Sequence, residues 1–162
     1  MEENKSADVI YLDFAKAFDK VDHGILLRKL ISMEFSHNLI NWIREFLLNR
    51  KQAVIVNGTR SPYHEAISGV PQGTVLGPVL FLIYIADIDS ELIHSKASSF
   101  ADDTRPILPL EKMGDYALLQ EDLHRVYNWA EQNNMSFNAE KFVHMRYGNR
   151  TSVSSESHVG KY

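Results

Sequence analysis

The sequence contains no cysteine. Disulfides, thiolate zinc sites and cysteine nucleophiles are therefore excluded outright. A basic excess is missing too: the formal net charge is -4 at pH 7 and the isoelectric point about 6.0. A basic chain would point to nucleic acid, and this one does not. The balance does not exclude it either, because a carboxylate metal site adds negative charge that its ions neutralise. Long hydrophobic runs are also absent. The longest strongly apolar stretch, Val79 to Ala86, is too short to span a bilayer. The opening Met-Glu-Glu-Asn-Lys lacks the apolar core of a signal peptide. An intracellular protein with no membrane partner is the expectation. What is present is ordinary globular material, 162 residues of which 44% are hydrophobic and 23% charged, enough for one domain with a core.

Along the chain, Asp8 to Phe14 reads as a buried strand that ends at a carboxylate. Asp22 is placed to cap a helix through Gly24 to Met33. Asn38 is placed to cap a second, with Leu39, Ile40, Trp42, Ile43, Phe46 and Leu47 packing inward. Gln52 to Val56 reads as a strand and Asn57-Gly58 as a turn, with a partner strand around Tyr63 to Ile67. Ser68 to Gly77 is a loop rich in Gly and Pro, and Pro78 fits the first turn of a helix running into Ile88. Ala97 to Leu108 resembles a hairpin with Asp102 and Asp103 near its tip. Asp115 is placed to cap a long amphipathic helix ending near Asn133 and Asn134, and Phe142 to Tyr147 is a last strand. This order predicts an α+β fold, an antiparallel sheet with helices packed on one face. From Gly148 the chain reads as a flexible tail.

Three segments carry chemistry. The first is Leu12-Asp13-Phe14-Ala15-Lys16-Ala17-Phe18-Asp19-Lys20-Val21-Asp22-His23. A carboxylate at the end of an apolar strand is held by a rigid element at a sheet edge, where a metal ligand works well. An isolated aspartate there is more often a helix cap. The second is Phe100-Ala101-Asp102-Asp103. Adjacent carboxylates repel, and burying both ionised is costly without a cation. Alone, Asp-Asp is also a common turn dipeptide. The third is Ser68-Gly69-Val70-Pro71-Gln72-Gly73-Thr74-Val75-Leu76-Gly77-Pro78. Its glycines allow close approach to backbone, and Gln72 can hydrogen-bond a base or sugar. It fits neither the Walker pattern nor the dinucleotide fingerprint.

Taken in order, these segments resemble successive motifs of reverse transcriptases, above all those of non-LTR retrotransposons of the LINE, jockey and CR1 kind. Phe137-Asn138-Ala139-Glu140-Lys141 resembles the family's Asn-x-x-Lys segment. The resemblance runs from about Asp8 to Gly148. It implies a polymerase palm with partial fingers over residues 1–148 and a flexible tail over 149–162, with the thumb absent. It implies that Asp13 and Asp102 bind two magnesium ions, with manganese as an alternative ion. Asp103 completes the acidic cluster, and the Phe14 carbonyl is a further metal ligand. Phe14, Ala15, Lys16 and Ala17 pass their backbone beneath the incoming triphosphate. Phe18 matches the sugar gate that crowds a ribose 2′ hydroxyl. Gln72 and Gly73 contact the template–nucleotide pair, and Lys141 steadies or protonates the pyrophosphate. The implied partners are an RNA template, a DNA primer, deoxynucleoside triphosphates and the fingers and thumb segments of a longer polyprotein.

Other residues read more plainly. Arg50, Lys51 and Arg60 flank the first hairpin, and a solvated rim outweighs phosphate contact for them. His23, His37, His64, His94, His124, His144 and His158 form no ligand-like cluster. Trp42 and Trp129 sit on apolar helix faces and read as core. Pro106 and Pro109 follow the Asp-Asp pair where the family has a strand-compatible run, so that strand is expected to be short or at an edge. Phe142 stands where a small or polar residue is more usual. Alongside an RNA-directed DNA polymerase core, two readings stay open. One is a catalytically inactive retrotransposon remnant, at most a weak nucleic-acid-binding or interaction module. The other is a different carboxylate-metal enzyme.

Overall fold

A computed structural model describes residues 6–100, 103–110 and 115–147. Residues 149–162, read above as a tail, lie outside the described residues, as do 101, 102 and 111–114. The frame is a four-stranded antiparallel sheet built from β1 (Ser6–Asp13), β6 (Lys96–Phe100), β7 (Asp103–Leu110) and β8 (Val143–Tyr147), in the order β6-β7-β1-β8. The helices are α1 (His23–Ser32), α2 (His37–Leu47), α3 (Leu76–Ile85) and α4 (Asp115–Gln132). The α+β expectation holds.

β1 shows how the sequence sets the sheet's two faces. Side chains of a strand alternate. Leu12 and Phe14 are buried in a core shared with Val21, Leu26 and Leu30 of the α1 region, Leu80, Phe81 and Tyr84 of α3, and Val126 and Trp129 of α4. Asp13, between Leu12 and Phe14, leaves by the other face. Asp8, at the far end of β1, is fully buried and its Oδ2 lies 3.0 Å from His144 Nε2 on β8.

Caps explain the helix starts. Asp22 accepts from the Ile25 amide at 2.8 Å and opens α1, as its position predicts. The cap of α2 is Ser36, not Asn38: its hydroxyl accepts from the Leu39 amide at 3.4 Å. The buried stripe is Ile40, Ile43 and Leu47, at i, i+3 and i+7, while Leu39 is exposed and Trp42 is 56% exposed. Trp42 is therefore not core; it stacks on Phe46 at 5.9 Å. Trp129 is core at 4% exposure. Its indole N–H donates to Asp87 Oδ1, which also takes the Lys29 ammonium at 2.6 Å.

The segment after α2 is more broken than expected. Asn57-Gly58 does turn a hairpin, but a short one, β3 (Ile55–Val56) with β4 (Thr59–Arg60). The outer pair is β2 (Lys51–Gln52) with β5 (His64–Glu65). Pro62, which has no N–H to give a ladder, lies between β4 and β5. α3 stops at Ile85, short of Ile88, which begins a separate 3-10 turn (Ile88–Glu91).

β7 overturns the expectation drawn from its prolines. It is 8 residues long and lies inside the sheet, with Pro106 opposite Ala97 of β6 and Pro109 opposite Ala7 of β1. Successive N–H groups of a strand point to alternate neighbours. Prolines an odd number of positions apart thus take one donor from each ladder and leave the remaining pairs in register.

Candidate active site

The β1–β7 ladder ends with Asp13 directly opposite Asp103. Directly opposed positions of an antiparallel pair sit about 4.5–5.5 Å apart between Cα atoms. The β6–β7 ladder pairs Phe100 with Asp103, so Asp103 opens β7 beside the end of β1. Asp102 and the side chain of Asp103 are outside the described residues. Among the described side chains, no three of His, Asp and Glu converge on one point.

Asp13 is held from below. Its carbonyl accepts from the Asn138 amide at 2.8 Å, and Ala15 N–H donates to the Ser136 carbonyl at 2.8 Å. Phe14 bridges to Phe137 in backbone and stacks on it at 4.6 Å. Phe142, unexpected at its position, packs on Phe137 at 6.0 Å and Tyr127 at 6.1 Å. An aromatic floor thus lies under the site, and it carries Lys141 on a 3-10 turn (Ala139–Lys141). Lys141 Nζ lies 2.9 Å from Asp13 Oδ2, with side chains 63% and 19% exposed. The Asn-x-x-Lys segment therefore meets the first carboxylate.

After Asp13 the chain turns sharply. Lys16 takes a left-handed conformation with φ 55° and leads into a 3-10 turn (Ala17–Asp19). Ala17 is buried, Lys16 is exposed, and the Phe18 ring packs on Phe81 at 4.8 Å. Lys20 donates to the Ser136 hydroxyl at 2.6 Å and ties this turn back to the same floor.

The Gly/Pro loop docks on that turn. The Val70 amide donates to the Phe18 carbonyl at 2.9 Å, the Gly69 amide to Val21 at 2.8 Å, and the Ser68 hydroxyl to Asp19 at 2.9 Å. Gly69 has φ +82°, and a Cβ there would come within 2.9 Å of Asp19 backbone. Only glycine fits. Gln72 and Gly73 are exposed at the loop tip, and Gln72 Nε2 donates to Asp19 Oδ1 at 3.0 Å. The loop's last turn is closed by Thr74, whose hydroxyl accepts from the Gly77 amide at 3.1 Å.

Three residues enter this region that sequence reasoning left aside. Asp19 receives Gln72. His23 places Nε2 2.9 Å from the Gly69 carbonyl, and Arg50 donates to the same oxygen at 2.6 Å. Arg50 is thus turned inward and is not a solvated hairpin rim. Burial pushes the Arg50 pKa down, which leaves a guanidinium charged at any ordinary pH. Asp19 and His23 lie within the first motif, a signal that was available. Arg50 had none.

A family model for reverse transcriptase (RNA-dependent DNA polymerase) matches residues 1–159. The chain belongs to the reverse transcriptase family. Among curated relatives, the RNA-directed DNA polymerase from mobile element jockey of Drosophila melanogaster is 33% identical over 93% of the chain, which spans 17% of that protein. The jockey protein of Drosophila funebris is 34% identical over 92% of the chain, again 17% of its length. Among solved structures, telomerase from Candida tropicalis in complex with a fragment of telomeric RNA superposes with a TM-score of 0.70 at 13% identity, over 90% of this chain and 26% of that one. That likeness establishes a shared reverse transcriptase-like fold with a partial palm. No helix among the described residues is long and apolar enough to cross a membrane.

Proposed function

We propose that this chain forms the catalytic palm of an RNA-directed DNA polymerase that adds deoxynucleotides to a primer 3′ hydroxyl by a two-metal mechanism. Its partners are an RNA template, a DNA primer, deoxynucleoside triphosphates and the fingers and thumb segments of a longer polyprotein. The observation that carries the reading is the β1–β7 register, which pairs Asp13 with Asp103 at the end of the ladder.

The donor set fits magnesium. Hard cations take oxygen ligands, and Asp13, Asp102, Asp103 and the Phe14 carbonyl offer only oxygens. A cationic group is already matched to Asp13, since Lys141 pairs with it at 2.9 Å. When bound, two such ions supply activation of the primer hydroxyl and neutralisation of the charge on the pyrophosphate. The chain's own residues position the rest. Phe14, Ala15, Lys16 and Ala17 carry backbone past the triphosphate. The Phe18 ring, braced by Phe81, stands against a ribose 2′ hydroxyl. Gln72 and Gly73 meet the template–nucleotide pair from the docked loop. Lys141 can exchange its partner from Asp13 to the phosphate oxygens. Placement and charge are the main demands of phosphoryl transfer, so this division of labour is sufficient.

The test is primer extension on an RNA template. In the full-length polymerase carrying this chain, Asp102→Asn abolishes magnesium-dependent extension while circular dichroism stays unchanged. Retained extension refutes the metal role. The isolated chain extends a primer poorly or not at all, and robust extension by it would show that fingers and thumb are not needed.

A further inference from the structure

The Gly69 carbonyl is a junction. It receives the Arg50 guanidinium at 2.6 Å and lies 2.9 Å from His23 Nε2. A carbonyl oxygen only accepts, so His23 must carry its hydrogen on Nε2. The two donors come from different elements. His23 is the first residue of α1. Arg50 follows α2 and also donates from Nε to the Leu47 carbonyl at 2.9 Å, at the end of that helix. The Arg50 backbone is fixed too, because its own carbonyl accepts from the Ala66 amide at 2.8 Å. One arginine thus binds the loop on both sides of Ser68. Gly69 is buried and left-handed, while Gln72 and Gly73, a few residues on, are exposed.

A seated root with an exposed tip is a device for presenting the tip at fixed geometry. The root rests on the carbonyls of Phe18, Asp19 and Val21, so the same seat fixes the loop relative to the Phe18 ring. We propose that Arg50 and His23 are positioning residues for nucleotide selection, which act through the Gly69 carbonyl to set the Gln72–Gly73 tip against the Phe18 turn. This rests on the polymerase reading for its consequence, though not for its geometry. Neither residue touches substrate. Hydrogen-bonded groups that lock a site's shape matter because small displacements of a positioned group cost rate steeply.

Two measurements separate the parts. The first is hydrogen–deuterium exchange of the Gly69, Val70 and Gln72 amides in the chain itself. Arg50→Met and His23→Phe each speed exchange there on the order of tenfold or more, since the root loses a donor, while α4 amides keep their protection. Arg50→Lys, which retains one donor but cannot reach both carbonyls, gives a smaller rise. Unchanged loop exchange in any folded variant of this set overturns the proposal, and Arg50→Lys decides if Arg50→Met does not fold. The second measurement is steady-state incorporation by the full-length polymerase. Arg50→Lys and His23→Gln raise KM for the deoxynucleotide and lower the deoxy-to-ribonucleotide preference, each by roughly tenfold, with kcat changed less. Faster loop exchange with KM and preference both unchanged overturns the selection role. Failure of the wild-type polymerase to extend any primer counts against the polymerase reading, and the exchange data still decide the latch.

Discussion

Two corners of this molecule are built from opposite materials. At the end of β1, Asp13 stands opposite Asp103 in the ladder and pairs directly with Lys141 at 2.9 Å, a charged pair that water still reaches. At the root of the Gly/Pro loop, neutral backbone groups gather instead. Carbonyls of Phe18, Asp19, Val21 and Gly69 are each satisfied by a donor fixed in the fold. The first corner holds a charged pair within reach of water, and the function proposed above brings cations to it. The second is saturated and calls for nothing. The pairing teaches that a site of this kind needs both, a corner left electrostatically open for chemistry and a closed one beside it that holds the geometry.

The largest effect expected on activity is at the open corner. Asp13→Asn should eliminate extension by the full-length polymerase and leave the fold intact, because Asp13 is the proposed metal ligand and its side chain lies outside the apolar core. Extension at near wild-type rate would erase the distinction between the corners. On stability, the tryptophans give the widest contrast. Trp129→Ala should cost about 3–5 kcal/mol by urea denaturation, as a core aromatic does. The closed corner comes next. Gly73 has φ +79° with open space around it, so Gly73→Ala should cost about 1–2 kcal/mol for the left-handed conformation alone. Gly69→Ala adds a clash with Asp19 backbone and should cost more than Gly73→Ala in the same denaturation series. Equal costs would mean that the loop root is not seated as described.

Acid sharpens the comparison from outside both corners. Asp122 is fully buried and accepts from the Ser95 hydroxyl at 2.6 Å and from the amides of Ile93, His94 and Ser95. Burial pushes its pKa up, but the Ser95 hydroxyl and those amides outweigh it and hold the carboxyl below its ordinary value. A depressed carboxylate contributes stability above its unfolded pKa, about 3.9, and loses it as pH falls through the folded value. Unfolding free energy should therefore drop below about pH 4, and Asp122→Asn should flatten that drop in acid titrations. The smallest effect is Trp42→Ala, within about 0.5 kcal/mol, because the ring is largely in solvent. A large loss there would restore Trp42 to the core.

The sequence made the open corner legible because its chemistry needs particular residue types. Carboxylates at a strand end and a hairpin tip, with a lysine segment following, are written in the letters themselves. β1, α1, α4 and β8 were legible for the same kind of reason: apolar periodicity, an Asp22 cap and long uninterrupted stretches. The closed corner was not legible. A carbonyl acceptor exists at every residue, so nothing marks Gly69 as the one that Arg50 and His23 reach. Local signals also competed. Asn38 and Ser36 both suit a helix cap, and two apolar stripes ran along α2, of which Ile40, Ile43 and Leu47 took the core and left Trp42 outside. Pro106 and Pro109 argued for an edge, but β7 gains pairing on both sides and keeps its place.

The central claim is that Asp13, Asp102 and Asp103 bind divalent metal together. Its most direct test is Mn2+ titration by calorimetry on the full-length polymerase, with primer–template and deoxynucleotide present. The account predicts saturable binding in the wild type and loss of at least one site in both Asp13→Asn and Asp102→Asn, with unchanged circular dichroism. Equal Mn2+ binding by all three proteins would contradict it.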